Sequence, residues 1–430
     1  MRKGMRENRR TAGDSGPVAG IGSDTRWRNL GVAAGAAAAA LFAAWDVYKW
    51  VEAYASDHFH NDFTFYLAAA RIGVGHGWGS IYDLSIQQAE LDAMGSRIHI
   101  AELARYISPP PVAWLALPFT PLPYELGYWI WSALLVAALA STWYLAAPGS
   151  GRERVIHLAA ALGWLPVIYG LQLGQPGPFV ALGVAGSYAL ARCGRPFLSG
   201  MALGALALKP QLGFLVPIAL LVSGRYRAFA GAAAALAVLG LASAMSVGPD
   251  GIAAYQERLN FAASVPVNRE LTLAPLLGDL TLTRIVQVAI AILTLGLVFR
   301  LRKAPVEWTY VLAIVGGLVA SPYLHLDDLV MLGLAAWLYI RIGRKPRWAW
   351  AYVLGLVIAA EGVPLWGPIP LIAGEIVALI LASISAVEVD HGDGEHHDAE
   401  GEHDARLNRN RKELPVDGQS ELVDHSAGQA

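Results

Sequence analysis

Ile285-Val286-Gln287-Val288-Ala289-Ile290-Ala291-Ile292-Leu293-Thr294-Leu295-Gly296-Leu297-Val298-Phe299 runs without a charge and is closed by Arg300-Leu301-Arg302-Lys303. About 20 apolar residues in a helix cover the hydrocarbon core of a bilayer, and Lys and Arg gather on the cytoplasmic side. The segment 283–301 therefore reads as a membrane crossing with its C-terminal end inside. Segments of the same kind recur at 30–50, 106–122, 124–146, 155–171, 176–191, 198–222, 226–247, 306–321, 328–343, 348–364 and 367–387, about twelve in all. The expected fold is all-α and polytopic, because so many long apolar segments exceed what a water-soluble core uses.

Composition agrees. Of 430 residues, 55% are hydrophobic and 15% charged, against about 25% charged in soluble domains. The net charge of -2 gives no case for nucleic acid as a partner. A single cysteine, Cys193, excludes an internal disulfide and a cysteine-based metal site. Fourteen Trp and sixteen Tyr suit interfacial aromatic belts.

The segments sort into a basic cytoplasmic tail (1–29), a membrane domain (30–387) and an acidic, His-rich tail (388–430) expected to be disordered. The basic region is too long for a signal peptide, so the first helix reads as uncleaved. Arg225/Arg227, Arg300/Arg302/Lys303 and Arg341/Arg344/Lys345/Arg347 then all fall inside, as do both termini. Simple alternation puts Arg152/Arg154 and Arg192/Arg195 outside, whereas a re-entrant or tilted 106–122 moves both pairs inside; both schemes stay open. Under either, 51–105 is a large first external loop and 248–282 a second. No internal repeat of the transporter kind is visible. His391, His396, His397 and His403 in the tail can bind zinc or nickel loosely, although a solvated tail accounts for them as well.

Several residues stand out for chemistry. Asp62 sits just outside the first helix in His58-Phe59-His60-Asn61-Asp62-Phe63-Thr64-Phe65-Tyr66, where a carboxylate can act as a general base or, with the histidines, hold a metal. A solvated interfacial loop is the plain alternative. Pro109-Pro110-Pro111 marks a rigid helix entry. Gln175 lies in the irregular Gly174-Gln175-Pro176-Gly177-Pro178 loop as a hydrogen-bonding candidate. Lys209 lies within an apolar segment broken by Pro210. A cation at that depth is costly unless paired, and a lipid-linked phosphate is a natural partner. Asp327-Asp328, beside His325, can bind a cation, orient a sugar and phosphate, or simply cap a helix.

Taken in order, these pieces resemble glycosyltransferase family 87, multi-spanning enzymes of the GT-C class. The pieces are Asp62-Phe63-x-x-Tyr66-x-Ala68-Ala69, Ile81-Tyr82-Asp83-Leu84, Pro109-Pro110-Pro111, Leu117-Pro118, Gly174-Gln175, Gly200 and Gly204 before Lys209-Pro210, and Ser321-Pro322-Tyr323 with Asp328-Leu329. The resemblance covers roughly residues 30–385. It implies a GT-C fold and transfer of a hexose, mannose first among them, from a polyprenyl phosphate to a hydroxyl of a lipid or glycan acceptor. The transfer would occur at the outer face of the cytoplasmic membrane, with inversion. It further implies Asp62 as the base. Lys209, His325 and Arg71 are candidates for the leaving phosphate, and Tyr66, Tyr82, Gln175 and Asp328 complete the substrate-binding set. Neither a cofactor nor a metal is expected. The sequence departs from the family at Asp327, where an aromatic residue more often stands just before the acid matching Asp328, so the role of Asp327 is open. Two rivals are a transporter or lipid flippase that uses the Lys209 region, and transfer of another sugar such as arabinofuranose.

Overall fold

A computed structural model of the chain describes residues 21–101, 104–342, 355–381 and 383–384. The expectations for the acidic tail and for most of the basic one fall outside these residues. Among the described residues all regular structure is helical. In chain order the helices up to Arg341 are α1 (Ile21–Ser56), α2 (Asp62–Gly75), α3 (Leu84–Ala93), α4 (Pro110–Ala116), α5 (Tyr124–Ala146), α6 (Arg152–Leu162), α7 (Leu165–Leu173), α8 (Gly177–Arg192), α9 (Pro196–Ala202), α10 (Leu215–Val222), α11 (Tyr226–Ser264), α12 (Ala274–Leu277), α13 (Leu280–Arg300), α14 (Val306–Val319) and α15 (Val330–Arg341); further helices follow, among them Val363–Trp366 and Ile369–Leu381.

Among the described residues three helices are long and apolar enough to cross a membrane: α5, α11 and α13. A fourth crossing results if α6 and α7, bent by 62° to one another, form one span. This falls short of the twelve that hydropathy suggests, and local chemistry explains the difference. The expected crossing at 106–122 is a short helix, Pro110–Phe119. Pro110 and Pro111 open it with fixed φ, and the turn at Leu117–Phe119 tightens around Pro118. Ten residues rise only about 15 Å. The segment 198–222 is divided at Lys209-Pro210 into α9, two 3-10 turns and α10. The expected crossing at 306–321 holds only the 14-residue α14, which packs against protein and is buried at every position from Trp308 to Val319.

Two features of the packing position the site. An aromatic cluster holds α2 on α5: Phe63 packs on Trp131 and Tyr128, and Tyr66 on Trp131 and Tyr106. The α9–α11 crossing is closer still. A Cβ on Gly200 would overlap the Ala228 carbonyl, and one on Gly231 the Phe197 carbonyl. Helix α11 breaks at Gly248, whose φ of 66° is left-handed, just before Pro249. The Trp78–Ser80 turn sits on that break, where a Cβ on Gly79 would lie 3.0 Å from the Val247 carbonyl oxygen.

Candidate active site

Asn61, not Asp62, caps α2: its side-chain oxygen accepts from the Thr64 N–H at 3.2 Å, and its amide donates to His58 O at 2.8 Å. The Tyr124 hydroxyl donates to His58 O at 2.8 Å and ties the loop to α5. Asp62 is thereby the first residue inside the helix, where the N-terminal dipole favours an anion, and its half-buried carboxylate opens on a cavity of 590 Å³.

Gln175 reaches Asp62 from the end of α7. Gly174 ends that helix in the left-handed region (φ 74°), where a side chain would be strained. The Gly174 carbonyl accepts from the Trp131 indole at 2.8 Å. The Gln175 amide N–H donates to Asp62 Oδ2, while its oxygen accepts from Lys209 Nζ at 3.0 Å and from the Tyr66 hydroxyl at 3.4 Å. With two donors on its oxygen, the amide has one orientation, and its N–H₂ faces the carboxylate.

Lys209 is buried between the two short turns with extended backbone (φ -153°). Its Nζ lies 2.6 Å from Asp327 Oδ2 and 2.5 Å from Asp328 Oδ1. Asp328 also accepts the His325 backbone N–H at 2.9 Å, so it caps the turn and pairs with the lysine at once. Asp327 lines the cavity with Asp62, Tyr66, Gln175, Lys209 and His325, whereas Asp328 lies beneath it, fully buried. The His325 ring nitrogen is 2.8 Å from the Tyr323 hydroxyl, and burial pushes that imidazole down.

Burial, and secondarily the charge of Asp327, raises Asp62 to about 7; Lys209 and the Gln175 hydrogen bond oppose the rise. A carboxylate with affinity for a proton near neutrality is suited to general-base work.

Besides Asp328, two of the expected substrate-binding residues do not line the cavity. Arg71 is 3.7 Å from Glu90 and does not line the cavity. Tyr82 stands behind the wall, donating to Ser108 O at 2.9 Å and stacking on Tyr255 and Tyr106. Three cavity-lining arginines, Arg105, Arg269 and Arg284, escaped the sequence reading. Arg284 carried a signal of the same kind as Lys209, a charge within an expected apolar span, though near its start; Arg269 and Arg105 lay in loops with nothing to mark them. Among the described residues no three His, Cys, Asp or Glu side chains converge as a metal site would require.

A family model for glycosyltransferase family 87 matches residues 106–360. The match takes in Gln175, Lys209, Arg269, Arg284, His325 and both aspartates, and begins after Asp62. No curated protein and no solved structure matches the chain.

Proposed function

The chain belongs to glycosyltransferase family 87, and on that premise we propose that it moves a hexose, mannose first, from a polyprenyl-phosphate donor to a hydroxyl of a lipid or glycan acceptor at the outer face of the cytoplasmic membrane. The observation that carries this reading is Asp62, oriented by Gln175 at the wall of a cavity large enough for a sugar. The cavity includes Leu280, Thr283 and Gln287 from the start of α13, whose other end carries Arg300. With the basic end inside, the cavity opens at the outer face. The family match lends nothing to a transporter.

The reaction then runs as one inverting displacement. The acceptor hydroxyl gives its proton to Asp62 as its oxygen attacks the anomeric carbon. The bond from that carbon to the phosphate oxygen breaks, and the electron pair leaves on the phosphate. One base suffices, because a phosphate leaving group needs little protonation. Lys209 is committed to Asp327 and Asp328, so its part is to fix Gln175 and hence the base.

Asp62→Asn keeps the size and removes the base. In isolated membranes with a polyprenyl-phosphate sugar, turnover should fall about 10²–10⁴-fold; near-normal turnover by the inserted variant would overturn the assignment. In the native enzyme the base must be unprotonated, so the rate should drop as pH falls through about 7. Parallel assays with polyprenyl-phosphate mannose, other hexoses and arabinofuranose decide the sugar.

A further inference from the structure

The cavity holds more positive charge than its known partners use. Among the described residues lining it, the carboxylates are Asp62 and Asp327, and the second is taken by Lys209. Arg105, Arg269 and Arg284 line it as well, and among the described residues no carboxylate pairs with any of the three.

Each is presented by a built element. Asn268, fully buried, locks the turn that carries Arg269: its side-chain amide donates to Ala262 O at 2.6 Å, and its backbone carbonyl accepts from Leu324 N at 3.3 Å. Arg284 stands on the second turn of α13, which Asp279 caps by accepting from Leu282 N at 2.6 Å. One turn on, Gln287 faces the same cavity and donates to Ser321 O at 2.7 Å. Arg105 lies 3.9 Å over the ring of Phe261 on α11. Burial and nearby Arg258 hold its guanidinium below the ordinary value, as befits a position short of negative charge.

Helices α11 and α13 each pack on α10, and both border the cavity: Leu259 and Ala263 of α11 line it, as does Leu280 of α13. Between Arg284 and Arg300 the exposed side chains of α13 are apolar, including Ile285, Val288 and Ile292. Among the described residues Arg105 and Arg269 donate only to the backbone carbonyls of Ala101 and Ser264, and apolar flanks beside guanidinium groups that no carboxylate neutralises match an anion that carries a hydrocarbon tail.

We propose that Arg269 and Arg284, backed by Arg105, bind the phosphate of the lipid donor, whose polyprenyl tail leaves sideways into the bilayer between α11 and α13. This rests on the polyprenyl-phosphate reading above. The chemistry favours such a site for turnover as well as binding. The donor is a phosphodiester with one negative charge. When the sugar leaves, the phosphate becomes a monoester and gains a second. Planar guanidinium groups that meet this growing charge bind the transition state more tightly than the donor.

The test uses the full chain in lipid nanodiscs, with Arg269→Gln, Arg284→Gln, the double variant and the charge-retaining lysine variants. Donor KM and inhibition by polyprenyl monophosphate are measured, and R302Q, at the far end of α13, serves as control. Each single Gln variant should raise donor KM and weaken inhibition by ~10-fold, and the double variant by ~100-fold. Lysine should restore part of the loss, and R302Q should match wild type. Gln variants within about twofold of wild type in both measurements would overturn the site. So would unchanged constants with reduced membrane insertion, the result expected if these arginines only grip lipid headgroups. Wild-type protein given a nucleotide sugar in parallel separates the two claims: transfer from that donor alone sinks the polyprenyl-phosphate reading itself, whereas normal use of the lipid donor by the arginine variants sinks only the site.

Discussion

At the scale of single residues, the site depends on a chain of fixed orientations: Asp327 and Asp328 hold Lys209, Lys209 holds the Gln175 oxygen, and Gln175 presents its N–H₂ to Asp62. Each link can be tested. Gln175→Leu removes a donor that favours ionised Asp62. Its loss raises the proton affinity of the base, so the acid limb of the pH–rate profile should move to higher pH than in wild type, with a lower maximum. A limb that stays in place would limit Gln175 to packing. Lys209→Met leaves two buried carboxylates without their cation, which costs about 3–5 kcal/mol. Its thermal unfolding in detergent should come at markedly lower temperature, and part of the loss should return as pH falls and the acids take up protons. Lys209 was visible in the sequence as a charge in the wrong place. Its partners were not, because Asp327 and Asp328 lie more than a hundred positions away and read equally well as a helix cap.

Among the elements, hydropathy succeeded where a helix faces lipid and failed where it faces protein. α5, α11 and α13 were legible as crossings, since each presents apolar side chains outward along its length. α14 is equally apolar but buried throughout, and 14 residues do not cross a bilayer. Pattern alone cannot tell the two environments apart. The fractures at Pro110, Pro118 and Lys209-Pro210 were marked in the sequence by proline, and it is these fractured segments that approach the cavity. The α9–α11 crossing gives an element-scale prediction. Gly231→Leu forces a side chain into the Phe197 carbonyl, and overpacking of this kind costs about 1–3 kcal/mol or more. Its unfolding temperature should drop, while a leucine at Gly240, which has open space around it, should be tolerated.

For the molecule as a whole, the proposed orientation rests on α13: Arg284 near one end lines the cavity, and Arg300 closes the other. With Cys193 replaced by serine, a cysteine at Ser264 should react with an impermeant thiol reagent on intact cells, and one at Lys303 only after permeabilisation. The reverse pattern would put the cavity on the cytoplasmic side. The break at Gly248 divides α11 between two tasks. The half before the break meets α9 through Ala228 and Gly231, and the half after it supplies Tyr255, Leu259 and Ala262 to the cavity. The two halves therefore answer to different demands over evolutionary time. Changes before the break are screened for assembly, and changes after it for the substrate admitted. Exchange of 249–264 between members of the family is thus the natural unit for transplanting specificity while leaving the helical frame intact.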